Sequence, residues 1–229
     1  KTLFLLVYLT SFLYSFQSSL PLYVVSSFIS QYISTTQLVG FIYSLAAIFT
    51  VVLTFFYPQL LKKFGTYSLT LTVMGAGTLS LLGLAFFSNP LFVIIAFVAY
   101  QTTSSIIFLN LDSFVEYFSD NTATGSIRTI FMTVLNIAVA IAPFIAGLML
   151  TDHDYWKIFV AAAGVMTLSF FIIARNFRGY VDPHYLTNPF RSTLKIVAKN
   201  HDLHSIIFSH FLLSFFYVWM IIYTPLYMN

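Results

Sequence analysis

The chain has 229 residues, of which 59% are hydrophobic and 19% aromatic, while only 7% are charged. An ordinary soluble domain carries about 25% Asp, Glu, Lys and Arg, so this chain cannot cover a surface in water, and its apolar content equally excludes disorder. The lack of Cys removes disulfides, zinc–thiolate sites and thiol catalysis, and the net charge of +3 matters less than where the charges sit.

Seven windows have roughly the 20 mostly apolar residues that a bilayer-crossing helix needs: residues 3–26, 38–57, 68–87, 91–111, 129–150, 158–174 and 206–227. None contains Asp, Glu, Lys or Arg, as expected when a mid-membrane charge costs about 2.5–3.5 kcal/mol on insertion scales. The runs are too long for the strands of a membrane barrel. The first has no charged leader and no small-residue cleavage site, so it reads as a retained span. The expected fold is therefore all-α, a polytopic transmembrane helical bundle of about seven spans.

Span one carries Tyr14, Ser15, Gln17, Ser18 and Ser19 around and beyond its middle. Span two runs into Tyr57-Pro58-Gln59-Leu60-Leu61-Lys62-Lys63-Phe64-Gly65 before span three begins. Span four holds a central polar run, Gln101, Thr102, Thr103, Ser104 and Ser105, and is followed by Asp112 and Glu116. Arg128 opens span five, which has Asn136 near its middle and then Ala138-x-x-x-Ala142-Pro143-Phe144-Ile145-Ala146-Gly147. Ala138, Ala142 and Ala146 recur every four residues and make a smooth ridge for close helix approach, and Pro143 can bend the helix there. Span six is the shortest and borrows Trp156 as an interface anchor. A long connection follows. In it Pro189 suits a helix start, and Arg191, Lys195 and Lys199 stack at i, i+4 and i+8 beside Phe190, Leu194 and Val197, the pattern of a basic amphipathic helix lying on the inner leaflet. Span seven contains His210 and Tyr217.

The positive residues are sharply sorted. Lys1, Lys62, Lys63, Arg128, Arg175, Arg178, Arg191, Lys195 and Lys199 fall at the N-terminus or in the second, fourth and sixth connections, whereas Lys157 alone falls in the fifth. By the positive-inside rule the N-terminus is cytoplasmic and span seven ends outside.

Spans one and seven are alike. Ser11-Phe12-Leu13-Tyr14 with Pro21-Leu22-Tyr23 is matched by Ser214-Phe215-Phe216-Tyr217 with Pro225-Leu226-Tyr227, and the spacings differ by one residue. Two parallel six-helix repeats joined by a long linker give this arrangement. The expected organisation is a six-helix bundle over residues 1–176, a cytoplasmic linker over 177–205, and the first helix of a second bundle over 206–229, so that the sequence reads as part of a twelve-span protein.

With these features the chain resembles the major facilitator superfamily of secondary transporters. Residues 57–65 occupy the place of that family's cytoplasmic signature, Gly-x-x-x-Asp-Arg/Lys-x-Gly-Arg/Lys. Lys63 and Gly65 match it, Pro58 replaces the first Gly, and Lys62 stands where Asp is usual, so the gate role of that Asp does not carry over. The stretch 138–147 is similar to the Gly-x-x-x-Gly-Pro-x-x-Gly-Gly motif of family exporters, with Ala in place of three glycines; generic small-residue packing is the competing reading.

The resemblance implies a central cavity lined by spans one, four and seven. Gln17 and Gln101 are then first choices for substrate contact, with Tyr14 and Tyr217 as aromatic walls and Asn136 as a further contact. For each Gln, a hydrogen bond between helices is the alternative role. His210 either carries a proton or, as the preferred reading, is a neutral hydrogen-bonding residue. Asp112, Glu116 and Arg128 can pair with one another or with Lys62 and Lys63. In the family such ion pairs hold one of two alternating states, whereas an exposed loop pair is worth under about 1 kcal/mol. The expected activity is secondary active transport of a small solute across the plasma membrane, in the export direction, with uptake of a sugar or metabolite as the alternative. The expected partners are the lipid bilayer, the solute and, if coupling uses them, protons, with no cofactor, no metal and no nucleic acid. A seven-helix receptor is opposed by the charge pattern, and span seven lacks the Lys that retinal needs. An embedded enzyme lacks a cluster of His, carboxylate or activated Ser.

Overall fold

Long unbroken apolar stretches have only their own backbone to hydrogen-bond in lipid, which makes helix the sole economical form for a segment of this length. The structure, a computed structural model, describes residues 2–33, 35–118, 124–150, 154–182, 197 and 199–228. Among the described residues the elements are all helical: α1 (Thr2–Ser19), α2 (Val25–Ser30), α3 (Thr36–Phe64), α4 (Thr66–Phe86), α5 (Pro90–Phe118), α6 (Thr124–Met149), α7 (Tyr155–Asn176) and α8 (His201–Met228). The basic amphipathic helix expected after Pro189 falls largely outside the described residues.

Six of these helices, α3 to α8, are each long and apolar enough to cross a bilayer. The first expected span differs. It is broken at Leu20-Pro21 into α1, 18 residues long, and the single-turn α2. Pro21 cannot donate a backbone hydrogen bond, and its own carbonyl accepts from Val24 and Val25 to start the next turn. Helix α1 lies inside the protein. Val7, Thr10, Ser11, Tyr14, Ser15, Gln17 and Ser19 are all buried, so this helix meets neighbours more than lipid.

The core is built around α1, α5 and α7. Helix α1 packs on α6 and α7, α4 packs on α5 and α7, and α3 packs on α5. Ala138, Ala142 and Ala146 of α6 are buried, while Pro143 is partly exposed and Gly147 is exposed with nothing within 4 Å of where a Cβ would stand. Side chains tie the helices through backbone carbonyls: Tyr8 Oη donates to the Ile127 carbonyl (3.1 Å), Ser15 Oγ to Leu135 (2.9 Å) and Tyr67 Oη to Ala174 (2.9 Å). Such bonds average roughly 0.6 kcal/mol in a membrane protein and fix helix rotation. Phe28 of α2 stacks against Tyr155 and Phe159 of α7, with centroids 5.7 and 4.8 Å apart, so the short helix is clamped to the bundle.

The stretch expected to connect spans two and three is almost wholly helical. Helix α3 continues through Pro58 to Phe64, and Gly65 alone joins it to α4. Gly65 has φ +74°, a conformation open to glycine and costly for residues with a Cβ. The proline is tolerated because it removes only one hydrogen bond near the helix end.

Residues 177–182 pack back on the bundle. Asp182 Oδ1 accepts from the Thr66 backbone N–H (2.9 Å) and from Thr66 Oγ1 (2.6 Å), capping α4 in place of the side chain that Gly65 lacks. Phe177 and Tyr180 stack on Phe114 of α5.

Candidate functional site

Helix α5 brings its central polar run to a cleft because of spacing. Gln101, Ser104, Ser105 and Phe108 lie on one face by helical periodicity. Helix α3 turns an equally regular stripe toward them: Gly40, Tyr43, Ser44, Ala47, Thr50 and Thr54. Their small or hydroxyl side chains leave room between the two helices. Tyr14 and Ser18 of α1 form a third wall, and Tyr217, Val218, Ile221, Ile222 and Tyr223 of α8 form a fourth.

The space divides into two cavities. One, of about 510 Å³, lies between α3, α5, α8 and the α1–α2 turn. The other, of about 390 Å³, is lined by Tyr14, Thr54, Gln101, Ser104, Ser105, Phe108 and Leu109. Gln101 and Ser105 line both, so the two meet there. Gln101 is eleven residues into α5, about 17 Å along its axis at 1.5 Å per residue, which is well inside a bilayer about 30 Å thick. Sites of this size commonly take a drug-sized ligand.

The sequence-derived candidates separate clearly. Tyr14, Gln101 and Tyr217 line the cavities. Tyr14 also donates from Oη to the Ser104 carbonyl at 2.5 Å, tying α1 to α5. Gln17 lies on the same helix face as Tyr14 and Ser18 but is fully buried beside the cavities, and neither amide atom has a protein partner. Asn136 is exposed on α6 and His210 is exposed on α8, and neither lines a cavity.

Among the contributors not singled out from sequence are Tyr43, Tyr100, Tyr223 and Gly40. Tyr100 precedes Gln101 and Tyr43 lies mid-way along span two; their direction depends on helix rotation, which the sequence does not show. Tyr43 is held edge-on against Phe97, with centroids 4.8 Å apart. At Gly40 a Cβ would stand 2.5 Å from Tyr223 Oη, so any larger residue here requires the Tyr223 side chain to shift. The nearby Ser27 Oγ donates to the Pro225 carbonyl at 3.5 Å.

At the opposite, basic end, Arg128 Nη2 meets Asp112 Oδ2 at 3.0 Å, joining the start of α6 to the end of α5. Lys62, Lys63 and Glu116 are exposed. Asp182 meets Thr66 beside Gly65, a contact that composition and motif spacing do not indicate because the two lie 116 residues apart. Tyr57 Oη donates to Asn110 Oδ1 at 2.7 Å just below the cleft, joining α3 to α5. Among the described residues no group of His, Cys, Asp and Glu is placed to hold a metal ion.

A family model described as Major Facilitator Superfamily matches residues 7–229. No curated protein matches the chain.

Proposed function

Because the chain belongs to the Major Facilitator Superfamily, a family of membrane transporters, we propose that it moves its small-molecule substrate through the cleft between α1, α3, α5 and α8 by alternating access. The observation that carries this is the meeting of two cavities at Gln101 and Ser105, near the middle of a helix that spans the membrane. A site at that depth can face either side when the surrounding helices rock. Gln101 is the principal polar contact, Tyr14 and Tyr217 are aromatic walls, and Gln17 enters the site by a rotamer change that gives its amide a partner.

The protein is a multi-pass membrane protein. The proposed location is the plasma membrane, and the distribution of Lys and Arg supports a cytoplasmic N-terminus. Export is the proposed direction, supported by the similarity of residues 138–147 to the exporter motif and by the buried alanine ridge of α6 against α1. The Arg128–Asp112 pair is the proposed cytoplasmic latch, which separates when that side opens.

The test is solute flux in reconstituted vesicles, screened against a panel of small solutes in both membrane orientations. Gln101→Ala is expected to lower flux at least tenfold with the protein still inserted and folded. Flux unaffected by Gln101→Ala would remove the cleft as the path, and flux favouring entry into the cell would reverse the direction.

A further inference from the structure

Helix α7 ends at Asn176, yet residues 177–182 stay on the bundle. They are held there in two different ways. Phe177 is buried, and the Phe177 and Tyr180 rings lie 5.2 and 4.8 Å from the Phe114 ring near the end of α5. Tyr180 also meets Tyr117, with centroids 4.7 Å apart. Such a pad is held by many small contacts spread over several rings, so the loss of one leaves the rest in place.

Asp182 works in the opposite way. Its Oδ1 alone accepts both bonds from Thr66, 2.9 Å from the backbone N–H and 2.6 Å from Oγ1. One rotation of the Asp182 side chain therefore opens both together. Thr66 is the first residue of α4, and a helix has no acceptor of its own for a first-turn N–H. The other carboxylate oxygen stands 2.6 Å from where a Gly65 Cβ would be, so the glycine leaves the room for this approach. Val181 and Asp182 are exposed while Thr66 is buried. Water can take over the carboxylate when the bonds open, which keeps opening cheap.

We propose that residues 177–182 are a releasable strap that sets where the linker to α8 leaves the bundle. The aromatic pad is its fixed end and Asp182 is its clasp. With the clasp closed, the linker starts at the α3–α4 turn. With it open, the linker starts at Tyr180, and Val181 and Asp182 add about 7 Å of reach at 3.3–3.6 Å per residue. The tie between the bundle and α8 thus changes length while the membrane-spanning helices keep their packing. The strap uses nothing from the cleft, so it stands or falls independently of the transport reading.

The test uses the full chain in lipid nanodiscs and two measurements. The first is amide hydrogen exchange read at single residues. In the unaltered chain Thr66 should exchange about a hundredfold or more faster than Met74 in the middle of α4, because the clasp opens locally. In Asp182→Ala it should exchange about tenfold or more faster again. The second is the distance between spin labels on cysteines at positions 63 and 181, both exposed in a chain without Cys. Asp182→Ala should lengthen and broaden this distance, whereas a pair at 63 and 178 should hold. Asp182→Asn keeps an acceptor oxygen and should fall nearer the unaltered chain in both measurements. Thr66 exchanging as slowly as Met74 would mean that the contact opens only with the whole fold, and the strap would not be releasable. No change in Asp182→Ala would show that the clasp is not made. Asp182→Asn as open as Asp182→Ala would overturn hydrogen bonding as its basis, and lengthening at 63 and 178 would overturn the pad as the fixed end.

Discussion

Gly65 makes the whole connection between α3 and α4, and its left-handed backbone brings the start of α4 under Asp182. Gly65→Ala would meet two penalties: a φ of +74° and a Cβ 2.6 Å from Asp182 Oδ2. The backbone part costs about 1–2 kcal/mol. Thermal unfolding in detergent should show a lower midpoint for Gly65→Ala. Asp182→Ala should lower it too, by removing two hydrogen bonds from Thr66. The two changes should be less than additive, since deleting the carboxylate also deletes the clash; strict additivity would show that the contact is not made. At the other end, Gly40 lies within α3 and its constraint is steric alone. Gly40→Val must push Tyr223 away from α3, and a cysteine placed at position 44 should then react faster with a membrane-impermeant thiol reagent added from the side opposite Lys62. The chain has no Cys of its own, which keeps the readout clean.

Helices carry the next level of specificity, and α1 with α6 gives the clearest case. Both are held by small and hydroxyl side chains, the alanine ridge of α6 and Ser15 on α1. Close-packed interiors tolerate extra volume poorly. Ala142→Leu should therefore destabilise by about 1–3 kcal/mol, seen as a lower melting midpoint. Gly147→Leu, on the exposed side of the same helix with open space around it, should leave the midpoint unchanged or raise it. Equal effects at the two positions would mean that the ridge is not an interface. Helix α8 is the contrasting element. Apart from Ile221 and Ile222, its described apolar residues are partly or fully exposed. It meets the bundle through α2 and the Gly40 stretch, so its position depends on those few contacts.

For the molecule as a whole, the decisive quantity is the charge difference between its two ends. Lys62, Lys63, Arg128 and Arg175 collect at one end, and Lys157, paired with Asp154 at 2.6 Å, stands at the other. Single cysteines at positions 62 and 157 should label from opposite faces of the membrane, and labelling from one face would invalidate the orientation. The Arg128–Asp112 pair crosses the basic end, with Arg128 more than half exposed. A pair so exposed contributes under about 1 kcal/mol to stability. Arg128→Gln should therefore barely shift unfolding yet change the rate of flux, because a latch acts on the balance between two states. A large stability loss with normal flux would make it a structural pair only.

Much of this was open to reading before any coordinates. The long apolar segments and the segregation of Lys and Arg follow from solvent: lipid cannot satisfy a charge or an open backbone group, so composition along the chain reports depth; the break at Leu20-Pro21 and the continuation of α3 to Phe64 and of α5 to Phe118 do not. The central polar run of α5 and the alanine repeat of α6 are visible for the same reason, since each departs from a lipid-like pattern. Depth, however, is a one-dimensional coordinate. Asn136 and Gln101 are both polar and both mid-span, yet one is exposed and the other lines the cleft. Tyr43, Tyr100 and Asp182 carry no mark of their roles in the sequence. What separates them is rotation about the helix axis and contacts between residues far apart in sequence, which helix packing sets collectively. The amino-acid order determined that this chain belongs in a bilayer, because lipid is the only solvent its long uncharged segments can meet; the packing of α1, α3, α5 and α8 decided which of its polar groups share a space.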